Sequence, residues 1–182
     1  MAYETRFGHT VGVHPGIRAA GPADLAWVIE RWGGNMAAHG QLFDLAALEM
    51  VVLDAGDGIA GALSWAVEGD VFEIVSCDAD PAGRGVGRAL VEAAVGIAAV
   101  RRLTRLAATT TNDNLPALGF WQAMGFRLVA LRPGAVRDAR RLKPAIPERG
   151  YRGLPIRDEL DLERALEDDN RPASPYTDEP RR

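Results

Sequence analysis

At 182 residues, with 47% apolar and 25% charged side chains, the chain is long enough for one domain with a proper core and too apolar to be disordered over most of its length. The formal net charge of -4 argues against a nucleic-acid surface, the lone cysteine Cys77 excludes an internal disulfide framework, and three scattered histidines offer no zinc spacing, so no metal site is expected. The N-terminal residues lack a basic head and an apolar h-region, and no apolar run reaches spanning length, so the expectation is a cytoplasmic protein with no membrane partner.

Residues 1–16 show no period and read as an N-terminal arm, and IRAA at 17–20 predicts a short strand. GPADLAWVIERWG then predicts a helix with Leu25, Ile29 and Trp32 on its inner face, stopped by Gly33 and Gly34. EMVVLD, IAGALSWAVE and VFEIVSC, separated by GDG and GD, predict an antiparallel meander over residues 49–77. GRALVEAAVGIAAVRRL continues as a long, largely buried helix. RLAATTT predicts a strand, Asn112 to Asn114 supply N-cap chemistry for a helix over LPALGFWQAM, and FRLVAL resumes a strand after Gly125. GAVRDARRLK predicts a further helix, PAIPERGYRG a connection, and IRDELDLERAL a half-exposed final strand; residues 169–182 read as a disordered tail. The fold class is therefore mixed α/β, a single domain over residues 17–168 around a central mixed sheet.

PAGRGVGRAL, residues 81–90, sets Gly83, Gly85 and Gly87 at alternate positions before a helix. Glycine loops of this kind mark unusual dihedrals or close approach of another molecule, and a helix start presents unpaired N–H groups and a positive dipole end to an anion. The dinucleotide fingerprint fails because Arg88 stands where its third glycine belongs, and the phosphate loop fails because Gly87 is followed by Arg88 and Ala89. A tight turn without a ligand is the plain alternative.

A meander, a glycine loop opening a helix, a strand, then Asn114, Ala117, Phe120 and the Gly125–Phe126 pair together resemble the GCN5-related N-acetyltransferase (GNAT) family over roughly residues 17–168. The resemblance implies a mostly antiparallel mixed sheet with one splayed strand pair, flanked by helices, and acetyl-CoA (coenzyme A) as co-substrate. It implies that Ala82, Gly83, Arg84, Gly85, Val86 and Gly87, with Arg88 adding charge, wrap the pyrophosphate, that Asn114 touches the pantetheine arm, and that an N–H near Cys77 bonds the thioester oxygen. The acceptor it implies is an amine of a small molecule or a peptide amino group, attacked directly in a ternary complex; homodimers are common in the family, and the sequence leaves that state open. Two positions depart from the family pattern: Ala82 replaces an Arg or Gln, and Trp121 stands where many relatives carry the tyrosine assigned as acid to the leaving thiolate. These departures keep a non-catalytic acyl-CoA binding or regulatory module as the alternative.

Glu73, between apolar neighbours in VFEIVSC, is the candidate general base, with an exposed strand-face carboxylate as the equal alternative. Cys77 reads as an inert strand thiol rather than an acyl carrier. Trp32, Trp65 and Trp121 read as core rather than acceptor pocket, His9, His14 and His39 as surface or edge residues, and Asp158, Glu159 and Asp161 as a solvated strand face or an attraction for a cationic amine.

Overall fold

The computed structural model describes residues 3–4, 10–11 and 15–166. In chain order, β1 (Tyr3–Glu4) and β2 (Thr10–Val11) form a small ribbon, β3 (Ile17–Ala19) leads into α1 (Leu25–Trp32), and β4 (Asn35–Ala38) with β5 (Gln41–Asp44) makes a hairpin. The meander is β6 (Glu49–Asp54), β7 (Ile59–Glu68) and β8 (Val71–Ala79). Then come α2 (Val86–Val100), β9 (Arg105–Thr111), α3 (Leu115–Ala123), β10 (Arg127–Arg132), α4 (Ala135–Leu142) and β11 (Glu159–Ala165).

One seven-stranded sheet organises these elements in the order β10-β11-β9-β8-β7-β6-β3. Every neighbouring pair is antiparallel except β8 and β9, which run parallel because α2 carries the chain back across the sheet between them. The α2 face buries Leu63, Trp65, Phe72, Ile74, Leu90, Ile97, Leu106 and Leu162, together with Trp121, Met124 and Phe126 from α3 and its exit. The opposite face buries Val28, Leu45, Met50, Val52 and Ala62 against Trp27, Trp32 and Met36. Alternation along β6 and β7 feeds both layers, which is why these strands are apolar throughout.

Several expectations change. In α1, Val28 takes the buried position in place of Ile29, which is 44% exposed, while Trp32 packs into the layer as expected. The hairpin at Asn35–Asp44 was not anticipated. The final strand begins at Glu159, and its acids are not a solvated face: Glu159 is 3% exposed, and the Asp161 side chain bonds Thr109 and Arg132. Within the connection, a 3-10 turn at Tyr151–Gly153 docks on the start of α3, with the Tyr151 N–H donating to Asp113 Oδ2 at 3.0 Å. The C-terminal tail and most of the N-terminal arm lie outside the described residues.

Candidate active site

Between Ser64 and Trp65 of β7, the facing strand β8 carries one extra residue, Val75: Ser64 pairs with Ser76 but Trp65 pairs with Ile74. Such a bulge bends its strand and resets the alternation of side chains. On a regular strand Glu73 and Cys77 would share a face. Here Cys77 packs with Phe72 and Ile74 against the α2 layer, while Glu73, paired with Ala66, faces the opposite side with the β4–β5 hairpin.

The bulge also marks where the sheet opens. Pairing of β8 with β9 runs from Val71↔Arg105 to Ile74↔Ala108 and stops, although β8 continues to Ala79 and β9 to Thr111. Beyond that point β8 still pairs with β7, and β9 still pairs with β11 up to Thr111↔Glu159. Two strand edges therefore diverge with no ladder between them among the described residues, and backbone N–H and C=O groups that need partners line the opening.

Both strands point their C-terminal ends into this opening, so the helices that follow them begin there. The loop before α2 is exposed from Pro81 to Gly85, with Ala82 within it, and Gly83 and Gly85 adopt φ of 85° and 82°. Left-handed backbone at these two positions explains their identity. Gly85 is the N-cap of α2 and has no side-chain cap, and the first turn contains no acidic residue. The N–H groups at Val86, Gly87 and Arg88 thus have no intrahelical acceptor and no side-chain cap, and the Arg84 and Arg88 side chains are exposed beside them. Asn114 caps α3, its Oδ1 accepting from the Ala117 N–H at 3.2 Å, which leaves its amide N–H₂ to donate elsewhere.

Gly87 has a different reason for being glycine. A Cβ there would lie 3.2 Å from Phe120 Cζ and 3.3 Å from Cε2, so the residue lets α2 approach α3. Trp121 is 6% exposed and packed between Phe120 and Phe126, with centroid distances of 5.0 Å to each, so it is core rather than a wall of the opening. Trp65 likewise stacks on Phe72, at 5.1 Å, in the core.

The Glu73 carboxyl is pushed above the usual glutamate range, chiefly by burial; His39 and Arg132 oppose the shift, and Glu68 and Asp161 add to it. A carboxylate of raised proton affinity can take a proton from an incoming group more readily than an ordinary glutamate. Burial pushes the Cys77 thiol up to about 12, which keeps it protonated at neutral pH. His39, expected at the surface or an edge, instead lies at the tip of the hairpin with its Nε2 2.6 Å from Thr109 Oγ1 and 3.3 Å from Glu73 Oε1. Only the HG pair in AAHGQ, an uncommon relative of the Asn–Gly hairpin turn, signals this arrangement in the sequence. On the same side of the molecule, Arg31 of α1 donates to Asp78 at 2.5 Å and to Asp80 at 2.8 Å, fixing the end of β8 where it enters the glycine loop.

A mixed sheet that parts between a meander strand and the next parallel strand, with two helix starts at the opening, defines an acyltransferase-type fold. The model of the acetyltransferase (GNAT) family matches residues 19–126, and the chain belongs to this family. It is 35% identical over 150 residues, 80% of this chain and 94% of the relative, to the uncharacterized protein YxbD of Bacillus subtilis (strain 168). Among solved structures, a Bacillus subtilis acetyltransferase in complex with CoA aligns with a TM-score of 0.63 at 19% identity, covering 82% of this chain and 97% of that one. A GNAT family acetyltransferase from Elizabethkingia anophelis with acetyl-CoA bound aligns with a TM-score of 0.60 at 18% identity, covering 84% and 100%.

Proposed function

We propose that the protein transfers an acetyl group from acetyl-CoA to an amine of a small molecule or a peptide, by direct attack in a ternary complex. The observation that carries this reading is the opening between β8 and β9, beside the bulge in β8, with unpaired backbone along it and a half-buried carboxylate, Glu73, at its closed end. Pantetheine would lie along the free edges as a surrogate strand, the pyrophosphate would take the N–H groups at the start of α2, and the Asn114 amide would donate to the pantetheine arm. A free N–H on the diverging edge of β8, near Cys77, would meet the thioester oxygen as charge develops on it. Glu73 would take the proton of the attacking amine. With Trp121 in the core, the thiolate leaves without help from α3, which a thiol of ordinary acidity near pKa 8.5 allows at reduced speed. A cytoplasmic setting, where acetyl-CoA is made and Cys77 stays reduced, belongs to the same reading.

Thiol release from acetyl-CoA with a panel of small amines and peptides tests the proposal. Glu73→Gln should lower turnover by about 10²-fold to 10⁴-fold with little change in KM for acetyl-CoA. A loss below about threefold would remove Glu73 from the chemistry. The burial of Trp121 and the absence of a side-chain donor at Ala82 favour a second reading, a non-catalytic acyl-CoA binding module. That reading predicts tight coenzyme A binding with no thiol release for any amine in the panel.

A further inference from the structure

His39 sits where a glycine or asparagine would be easier to place. Ala38 pairs with Gln41, so His39 and Gly40 alone make the turn, at φ of 53° and 70°. Both residues are left-handed, as a two-residue hairpin turn of the primed type requires. A histidine held in this conformation points to a constraint beyond the turn itself. The constraint is visible in its partners: the His39 N–H donates to Glu159 Oε2 at 3.2 Å, and the ring reaches across the sheet to β9 and β8.

The hydrogen bonds around the ring join it to Thr109, Asp161 and Arg132 in one network. Thr109 Oγ1 donates its single hydrogen to Asp161 Oδ1 at 3.1 Å, and Arg132 Nε donates to Asp161 Oδ2 at 2.7 Å, so the carboxylate accepts from both sides. Giving the hydroxyl hydrogen to Asp161 makes the imidazole the donor in the 2.6 Å contact between Thr109 Oγ1 and His39 Nε2. The same Nε2 edge of the ring lies 3.3 Å from Glu73 Oε1 and 3.9 Å from Asp161 Oδ1.

We propose that His39 is a positioning residue for Glu73: the imidazole, anchored by Thr109 and carried on the β4–β5 turn, sets its polar Nε2 edge 3.3 Å from Glu73 Oε1, fixes the carboxylate at the closed end of the opening and favours its ionised form. The proposal rests on the reading of Glu73 as the base. The other groups that face this carboxylate are Glu68 of β7 and Asp161 of β11, which oppose its ionisation, and Arg132 of β10, which favours it. Without the ring, the desolvated carboxylate would hold its proton to higher pH and begin to work as a base only there.

Two measurements on the full-length protein test this. The first is the titration midpoint of the Glu73 carboxyl carbon, followed by NMR with labelled glutamate in wild type, His39→Asn and His39→Gln. Asparagine tolerates the left-handed turn but is too short to reach Glu73, whereas glutamine keeps a neutral donor of greater reach. The midpoint should rise by about one pH unit in His39→Asn and by less in His39→Gln. The second is the pH profile of turnover with the best amine of the panel: the acid limb should move up in parallel by about the same one pH unit, with KM for acetyl-CoA unchanged. A midpoint that stays in place in folded His39→Asn would overturn the proposal and leave His39 as a turn anchor. Should His39→Asn not fold, Thr109→Val, which spares the turn and releases the ring, takes its place with the same two outcomes. If no amine accepts an acetyl group from wild type, the proposed function fails, yet the titration still decides the role of His39.

Discussion

Gly85 and Gly87 look alike in the sequence and differ in kind in the structure. Gly85 has φ of 82° and open space around a would-be Cβ, whereas Gly87 faces the Phe120 ring. A bulky residue at 87 would therefore perturb the contact of α2 with α3, and its effect on a ligand could not be separated from its effect on packing. Gly85→Asp is the cleaner probe. Aspartate tolerates left-handed backbone better than most residues, and a carboxylate at a helix start suits the dipole, so the melting midpoint should fall by only a few degrees and the fold should persist. The same charge would stand where the phosphates are proposed to bind, and coenzyme A affinity by calorimetry should fall by about tenfold or more. Undiminished affinity in the folded variant would move the phosphates away from this loop.

At the scale of elements, the hairpin is held from two sides. His39 ties its tip to the sheet, and Lys143, just past α4, donates from Nζ to the carbonyls of Trp32 at 2.8 Å and Asn35 at 2.5 Å. One ammonium thus closes the end of α1 and the start of β4, and its burial pushes its pKa below the usual lysine value. Lys143→Met should leave two carbonyls short of a donor, destabilise the protein by about 1–3 kcal/mol, and speed amide exchange in β4 and β5 more than in β7. Equal exchange in both regions would mean that the clamp serves the whole fold rather than the hairpin.

None of this clamp is legible in the sequence, because a lysine after an arginine-rich helix reads as solvated and NMAA and QLFD are too short to show alternation. The meander, the glycine loop and the capped α3 were legible, since each has a local cause: period-two apolar runs, positive φ, and an asparagine at the helix start. The bulge at Val75 was not, because EIVSC alternates as well with the extra residue as without it, and only pairing with β7 decides which side Cys77 takes.

Across the whole molecule, the carboxylates fall into two groups with opposite dependence on pH. Asp24, bonded by Arg18 at 2.6 Å and by the Gly21 N–H, is held below its ordinary value, so its contribution is present above the usual aspartate range and lost as pH falls through the lowered native value. Glu73 behaves in the reverse way. Burial raises its native value above the ordinary 4.5, so between the two values the folded protein binds the proton that the unfolded chain has released. Stability must then fall as pH rises through that window, and the fold carries the cost of a charged, desolvated carboxylate at all higher pH. A group retained against stability fits a role in binding or chemistry better than a role in packing. Glu73→Gln keeps the shape and removes the charge, so its melting midpoint should exceed that of wild type by a few degrees at about pH 8 and match it at about pH 3.5, where the native carboxyl is already neutral. A midpoint that fell at pH 8 would show that His39 and Arg132 more than offset the burial of the charge, and the elevated proton affinity that lets Glu73 serve as a base would have to be given up.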